Sequence, residues 1–154
     1  MDVIRDFASR FNTNLRLNQS FIIKKENKYF LLNPRLKKLV SEDFFHAGVY
    51  LGKAKDGRFF PSFSLLRMIA EKEDANKVVV NEKTEWFFIC GRDIFKQGII
   101  NASGSKREGD HTLILNQHGE CLGFGKILQN LNEEKGHVAV WNVADVGDFL
   151  RREH

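Results

Sequence analysis

The chain has 154 residues, of which 42% are hydrophobic, so it can form one ordinary domain or two compact ones without a disulfide staple. Its two cysteines lie far apart, and the N-terminus lacks a signal peptide, which excludes a disulfide-rich secreted protein. No apolar run approaches the roughly 20 residues that a membrane helix needs. We therefore expect a cytoplasmic protein without a membrane partner.

The basic charge of the chain, +4 in total, belongs to its first half. Up to Asn81 there are 15 Lys and Arg against 9 Asp and Glu, a balance of +6. From Glu82 onward there are 9 against 11, a balance of −2. A nucleic-acid site in the second half must therefore be a local cluster of basic residues rather than a diffuse positive field.

Residues 1–81 combine helical and hairpin patterns, which predicts an α+β domain with a mostly antiparallel sheet. Asp2 is a suitable N-cap, and either Ser62 or Ser64 is a suitable cap for a later helix. Asp56-Gly57 favours the positive φ angles of a tight hairpin turn. The predicted elements are, in chain order, a helix over 2–11, a hairpin over 20–34, a helix over 35–45, a hairpin over 47–63, a helix over 64–72 and a strand over 77–81.

Residues 82–154 contain many short β-type segments, which predicts a compact, partly closed β-barrel. Gly98 is placed to end a helical turn in the left-handed conformation, and Asp145 is placed to cap a terminal helix. Gly123 and Gly125 indicate a bulge or sharp bend. The predicted elements are a strand over 83–91, a helical turn over 92–99, a loop over 101–110, two strands joined at His118-Gly119, a strand over 137–143 and the terminal helix.

Sequence patterns of catalysis and cofactor binding are absent from the chain. The histidines show no HExxH spacing, and no GxSxG nucleophile motif is present. The stretch Gly123-Phe124-Gly125-Lys126 lacks the long glycine loop of a phosphate-binding site. We therefore predict no enzyme activity, no metal and no cofactor.

Two basic pairs stand out in the second half. Lys106-Arg107 lies in a loop rich in Gly and Ser, with acidic neighbours that weaken the signal. Arg151-Arg152 falls in the last turn of the terminal helix, where positive charge complements the helix dipole by about 0.3–1 kcal/mol. Adjacent helical positions point about 100° apart, so the two guanidinium groups would also suit successive phosphates of a polyanion. The residues alone leave both explanations open.

A family resemblance rests on the stretches "LGFG" at residues 122–125 and "ADVGDFLR" at residues 144–151. The second half resembles the PUA domain, a small RNA-binding pseudobarrel named for pseudouridine synthases and archaeosine transglycosylases. More closely, the chain resembles the nuclear-import-protein-seven (Nip-seven) family of ribosome-biogenesis factors, which carry an N-terminal α+β domain before the PUA domain. The resemblance covers essentially the whole chain, with residues 1–81 as the pre-PUA domain and 82–154 as the PUA domain.

The resemblance implies a non-catalytic factor for pre-ribosomal RNA processing and large ribosomal subunit assembly. Its implied partners are pre-ribosomal RNA, uridine-rich in some members, the pre-ribosomal particle, and the exosome or other assembly proteins. In a eukaryotic host it would be nucleolar or nuclear. The family's C-terminal basic pair falls on Arg151 and Arg152, and the glycine-ended turn through which PUA domains contact RNA falls on Arg92 to Gly98. With the loop pair, the candidate RNA-binding residues are Arg92, Lys96, Lys106, Arg107, Arg151 and Arg152.

A second hypothesis is motivated by the charge division alone. In it the chain is a protein-interaction adaptor of a ribosome-assembly or exosome complex, and its RNA contacts come mainly from the basic N-terminal domain. A fragment of an RNA-modifying enzyme is a weaker third hypothesis, because the sequence shows no catalytic pocket residue.

Overall fold

The structure, a computed structural model, describes residues 2–33, 48–133 and 138–152. The predicted helix over 35–45 lies outside these ranges. Short 3-10 turns occur at Gln19–Phe21 and Lys96–Gly98. The helices and strands are, in chain order, α1 Val3–Ser9, β1 Ile22–Lys25, β2 Lys28–Leu31, β3 Val49–Lys55, β4 Arg58–Pro61, α2 Phe63–Ala70, β5 Lys77–Val80, α3 Glu82–Ile89, β6 Ile94–Phe95, β7 Ile99–Ser103, β8 His111–Leu115, β9 Cys121–Ile127, β10 Val138–Asp145 and α4 Val146–Arg152.

The strands form two sheets. The first has the order β1-β2-β3-β4 and is antiparallel throughout. The second has the order β6-β10-β9-β8-β5-β7, curls into a half-barrel, and contains one parallel pair, β5 with β8. The predicted α+β class with mostly antiparallel sheets is confirmed.

Strand β5 precedes the predicted division of the chain between residues 81 and 82. It is nevertheless paired within the second sheet, where Val78 lies opposite Ala102 of β7 and Ile114 of β8. The six-stranded sheet therefore takes strands from both sides of that division. The assignment of 1–81 and 82–154 as two domains stays a prediction.

Local signals in the first half are confirmed where the structure describes them. The Asp2 carboxylate accepts hydrogen bonds from the backbone N–H groups of Ile4 and Arg5, both at 3.1 Å, and so caps α1. Ser62, rather than Ser64, caps α2. The hairpin turn between β3 and β4 has positive φ angles at both central residues, 52° and 73°.

One hydrophobic core joins the two halves of the chain. Phe7 of α1 and Phe11, just after the end of that helix, pack edge-to-face on Phe124 of β9, with ring centroids 5.6 Å apart in each pair. This core lies between the N-terminal elements and one face of the second sheet. A second core covers the other face of that sheet and includes Phe88 of α3. Neither half can therefore be separated without exposing core side chains.

The predicted strand over 83–91 is wrong, because residues 82–89 form helix α3. The aromatic residues favour a strand by propensity, but the Asn81 side chain accepts a hydrogen bond from the Thr84 N–H at 2.8 Å and caps a helix. Phe88 is buried, whereas Trp86 is 63% exposed. Aromatic residues on both buried and exposed sides of α3 hide the helical period in the sequence.

The prediction that Gly98 ends a helical turn in the left-handed conformation is wrong, because its φ is not positive. Residues 94–95 form strand β6, and a 3-10 turn follows at 96–98. A Cβ atom on Gly98 would lie 2.0 Å from the Thr84 Oγ1, so glycine is needed there for close packing against α3. The left-handed glycine is Gly91, with φ +92°, directly after α3.

The predicted loop over 101–110 begins too early, because its first three residues belong to a strand. Residues 99–103 form strand β7, which pairs with β5 at the edge of the second sheet. Asn101 and Ser103 are exposed there, which explains why the sequence reads as a loop.

The predicted bulge at Gly123 and Gly125 is confirmed. The register of β9 against β10 shifts between Asn142 and Ala144. A Cβ atom on Gly123 would lie 2.1 Å from the Ala144 carbonyl oxygen, and one on Gly125 would lie 2.5 Å from the Trp141 carbonyl oxygen. The two glycines therefore let the strands approach at the bulge.

The two cysteines lie in different environments. Cys90 at the end of α3 is exposed, and Cys121 of β9 is buried. Burial raises the pKa of the Cys121 thiol to about 11. Cys90 is consequently the better site for a thiol probe.

Among the described residues, no helix combines the length and apolar character required to cross a membrane.

Candidate nucleic-acid interface

Arg92 is positioned by the end of helix α3. The Gly91 N–H donates to the Phe88 carbonyl at 2.9 Å, and the Arg92 N–H donates to the Phe87 carbonyl at 3.0 Å. This pair of bonds around a left-handed glycine is a Schellman motif. The Arg92 guanidinium lies 5.0 Å from the centroid of the Phe87 ring, within cation–π range. Backbone and ring together hold an exposed cation at the glycine turn.

The same turn is fastened to helix α4 by Asn142. Its side-chain amide donates to the Arg92 carbonyl at 3.3 Å and to the Asp145 carboxylate at 3.2 Å. The Asp145 carboxylate also accepts from the Asp148 N–H at 2.9 Å, which confirms Asp145 as the cap of α4. The glycine turn and the start of α4 are therefore neighbours. Arg151 and Arg152 occupy the last two positions of this short helix.

Lys96 and Lys106 each contact the loop after β9. The Lys96 ammonium donates to the carbonyl of Glu133. The Leu131 N–H donates to the Lys106 carbonyl at 2.9 Å. Because these loop residues are two positions apart, both lysines belong to the same end of the second sheet.

Strand β6 connects Arg92 with Lys96 along the edge of the sheet. Phe95, between the two cations, is 49% exposed and pairs with Val138 of β10. We call Arg92, Phe95, Lys96 and the end of α4 the basic edge. Basic groups beside an exposed aromatic ring are typical of surfaces that bind single-stranded nucleic acid.

Arg107 is exposed but has an acidic partner. Its side chain is 82% exposed and its Nε lies 3.7 Å from the Asp110 carboxylate. The Ser105 hydroxyl donates to that carboxylate as well. This ion pair is exposed and adds little stability, but it offsets the charge of Arg107 locally.

Sequence reasoning missed the side chains that position the cations. Phe87, Phe95 and Asn142 were assigned no role, although each contacts or neighbours a candidate residue. Asn142 gave a usable signal, because an amide inside an otherwise apolar strand needs hydrogen-bond partners. The described ranges contain no group of three or more His, Cys, Asp or Glu side chains arranged to hold a metal ion.

Replacing Gly91 by alanine tests the positioning of Arg92. A Cβ atom there meets nothing within 4 Å, so the cost comes from the positive φ alone, about 1–2 kcal/mol. A change of the backbone at residue 91 that relieves this strain also moves Arg92. We therefore expect weaker RNA binding as well as a lower free energy of unfolding. The control is Gly119→Ala, at φ +80° in open space, which should lose similar stability and keep its RNA affinity. Equal RNA affinity in both variants would contradict the role of the glycine turn.

The fold of the chain is similar to that of a PUA-domain protein. A conserved PUA domain protein from Thermoplasma acidophilum superposes with a TM-score of 0.62 at 20% identity, covering 97% of this chain and 91% of that protein. The profile of the UPF0113 PUA domain family matches residues 76–154. The chain belongs to this family, which confirms the predicted PUA domain and suggests RNA binding.

Two relatives extend the comparison. A UPF0113 protein from Archaeoglobus fulgidus is 34% identical over 119 residues, 70% of this chain and 63% of that protein. A tRNA-guanine(15) transglycosylase from Methanosphaera stadtmanae is 35% identical over 60 residues, 39% of this chain and 9% of the enzyme. This chain therefore matches less than two thirds of the length of either relative.

Proposed function

We propose that the chain is a non-catalytic RNA-binding factor whose PUA domain contacts RNA through the basic edge. The observation that carries this proposal is the arrangement of Arg92, Phe95 and Lys96 along one strand edge, tied through Asn142 to the helix that ends at Arg152. Residues 82–154 have a net charge of −2, so these few cations supply most of the attraction in that half.

The RNA is expected to be single-stranded or locally unpaired. An exposed aromatic ring stacks on unpaired bases, while the cations contact phosphates, and neither contact reads a base sequence strictly. The match to a transglycosylase that acts on tRNA supports an RNA-directed module. That match covers a small part of the enzyme, so the enzyme's chemistry is not transferred to this chain.

The cellular role that we propose is pre-ribosomal RNA processing and large ribosomal subunit assembly. It rests on the resemblance to the Nip-seven factors, as do the pre-ribosomal particle and the exosome or other assembly proteins as partners. The proposed compartment is the cytoplasm, or the nucleolus and nucleus in a eukaryotic host.

Ultraviolet crosslinking of the full chain in cell extract tests this function. Pre-ribosomal RNA should be the enriched species, and the crosslinked peptides should contain the basic edge. Cys90 adjoins this edge, so bound RNA should also protect the exposed thiol from alkylation. Crosslinks to messenger RNA alone would contradict the ribosomal role, and an absence of any RNA crosslink would contradict RNA binding.

The adaptor hypothesis is supported by the +6 balance of residues 1–81 and by Trp86, which is 63% exposed on α3. Because the halves share one core, surface variants of the full chain must distinguish the hypotheses. Loss of RNA binding on neutralising Lys24 and Lys28, with no effect of Arg92 and Lys96, would favour the adaptor.

A further inference from the structure

A groove lies between the N-terminal elements and the second sheet, and its lining includes none of Arg92, Phe95 and Lys96. It has a volume of about 390 Å³. Arg10, next to the end of α1, and Arg58 of β4 line one side of it, whereas His111 of β8 and Val143 of β10 line the other. Both halves of the chain therefore contribute to this groove.

Two cations line this groove, and a third lies beside it. Arg10 and Arg58 both line it, and both are exposed. Lys126 of β9 lies directly opposite His111 in the strand pairing, so their side chains share one face of the sheet. Burial, then Arg10, then Lys126 lower the pKa of His111, so both cations are near the imidazole.

The same face carries an exposed indole ring. Trp141 lies directly opposite Lys126 in the β9–β10 pairing and is 52% exposed. Trp141, Lys126 and His111 therefore form a row across three neighbouring strands. The N-terminal elements cover the His111 end of this row and leave the Trp141 end open to solvent.

The positive charges have little local compensation. Within the described residues, no carboxylate lines the groove. Asp110, which raises the pKa of His111, already accepts from Ser105 and pairs with Arg107. Like charges that face each other without a counter-charge repel one another and favour an anionic ligand.

We propose that this groove is a second RNA-binding site, in which a short segment of single-stranded RNA stacks a base on Trp141 and places phosphates at Lys126, Arg10 and Arg58. This inference rests on the proposed RNA-binding function. An indole ring in register with a lysine matches the alternation of base and phosphate in a single strand. An acidic protein segment would use the cations and leave the ring without a matching partner.

Two double variants of the full chain test the phosphate contacts. Arg10→Ala with Arg58→Ala removes two groove cations, and Arg5→Ala with Arg16→Ala removes the same charge from exposed positions that do not line the groove. Binding of a fluorescent oligouridylate is measured over a series of salt concentrations. The groove variant should bind more weakly and lose about 1.4 from the log–log salt slope, since each phosphate contact on a single strand contributes about 0.7. The control should keep the wild-type slope.

Trp141 supplies an independent readout. In a Trp86→Phe background it is the single tryptophan, so RNA should quench its fluorescence on stacking. Trp141→Ala should weaken RNA binding about fivefold or more, and Trp141→Phe should retain much of the affinity, because stacking is worth about 1–3 kcal/mol per base. A merely structural role for Trp141 would leave the quenching absent.

The outcomes separate this site from the basic edge. If wild-type protein binds the oligouridylate while the groove variant and Trp141→Ala bind equally well, the groove proposal fails and the proposed function stands. If the groove variants bind RNA weakly while variants that neutralise Arg92 and Lys96 bind as wild type does, the groove proposal stands and the assignment of the basic edge fails. If wild-type protein binds no single-stranded RNA, both fail.

Discussion

Replacing Arg151 and Arg152 together by alanine is expected to weaken binding of single-stranded RNA and to reduce its salt slope by about 1.4, or about 0.7 for each lost phosphate contact. The reason is the charge of the surrounding half, −2, which leaves few other cations to attract RNA. Both residues end helix α4, whose start is fixed to the Arg92 turn through Asn142 and Asp145. The pair thus extends the basic edge rather than forming an isolated tail.

A second double variant separates charge from folding effects. Arg151→Lys with Arg152→Lys keeps both charges and should keep the salt slope, even if geometry lowers the affinity. Both variants are compared with wild type by thermal unfolding, since loss of charge at a helix C-terminus costs about 0.3–1 kcal/mol. An unchanged slope in a folded alanine variant would remove these arginines from the RNA site and leave the helix dipole as their role.

The elements that sequence predicts well are those with local signals. Asp56-Gly57 determines its own hairpin turn, and the caps Asp2 and Asp145 act within three residues of themselves. Each of these features depends on neighbours along the chain, so composition and spacing are sufficient. The family resemblance rests on two continuous stretches, residues 122–125 on β9 and residues 144–151 at the end of β10 and on α4, so it too is accessible from the sequence.

The elements that sequence predicts wrongly depend on distant contacts. Helix α3 places Trp86 in solvent and Phe88 in the core, so its aromatic run shows no apolar face that would reveal a helix. Gly98 is constrained by Thr84, a contact made through the fold. Asn101 reads as loop but lies on edge strand β7, where polar residues are tolerated.

The sequence predicts which basic residues the candidate site contains, but it does not predict which residues the strand register brings together. Arg92 and Lys96 could be proposed because the resemblance places the RNA-contacting turn of PUA domains on Arg92 to Gly98. The groove is different, because the row of Trp141, Lys126 and His111 exists only through the register of three strands. No spacing rule links positions 15 residues apart on β8 and β9 or on β9 and β10 without that register.

Gly123→Ala should cause a large loss of stability, with a fall of about 3 kcal/mol or more in the free energy of unfolding. Gly123 has φ +146°, a conformation that strains any other residue. A Cβ atom would also lie 2.1 Å from the Ala144 carbonyl oxygen and 2.9 Å from the Asp145 Cα. Both obstacles are backbone atoms, so they cannot move aside as a flexible side chain would.

Gly57→Ala is the matched control, because its φ of +73° is also positive but a Cβ atom there meets nothing within 4 Å. It should lose about 1–2 kcal/mol from backbone strain alone. The excess loss in Gly123→Ala, seen as a lower Tm, then measures the contact between β9 and the end of β10. Asp145 caps α4 directly after this contact, so Gly123→Ala should weaken RNA binding even where it remains folded. Equal losses of Tm in the two variants would show that β10 shifts to accommodate the Cβ atom at little cost. The bulge would then not determine where Arg151 and Arg152 lie.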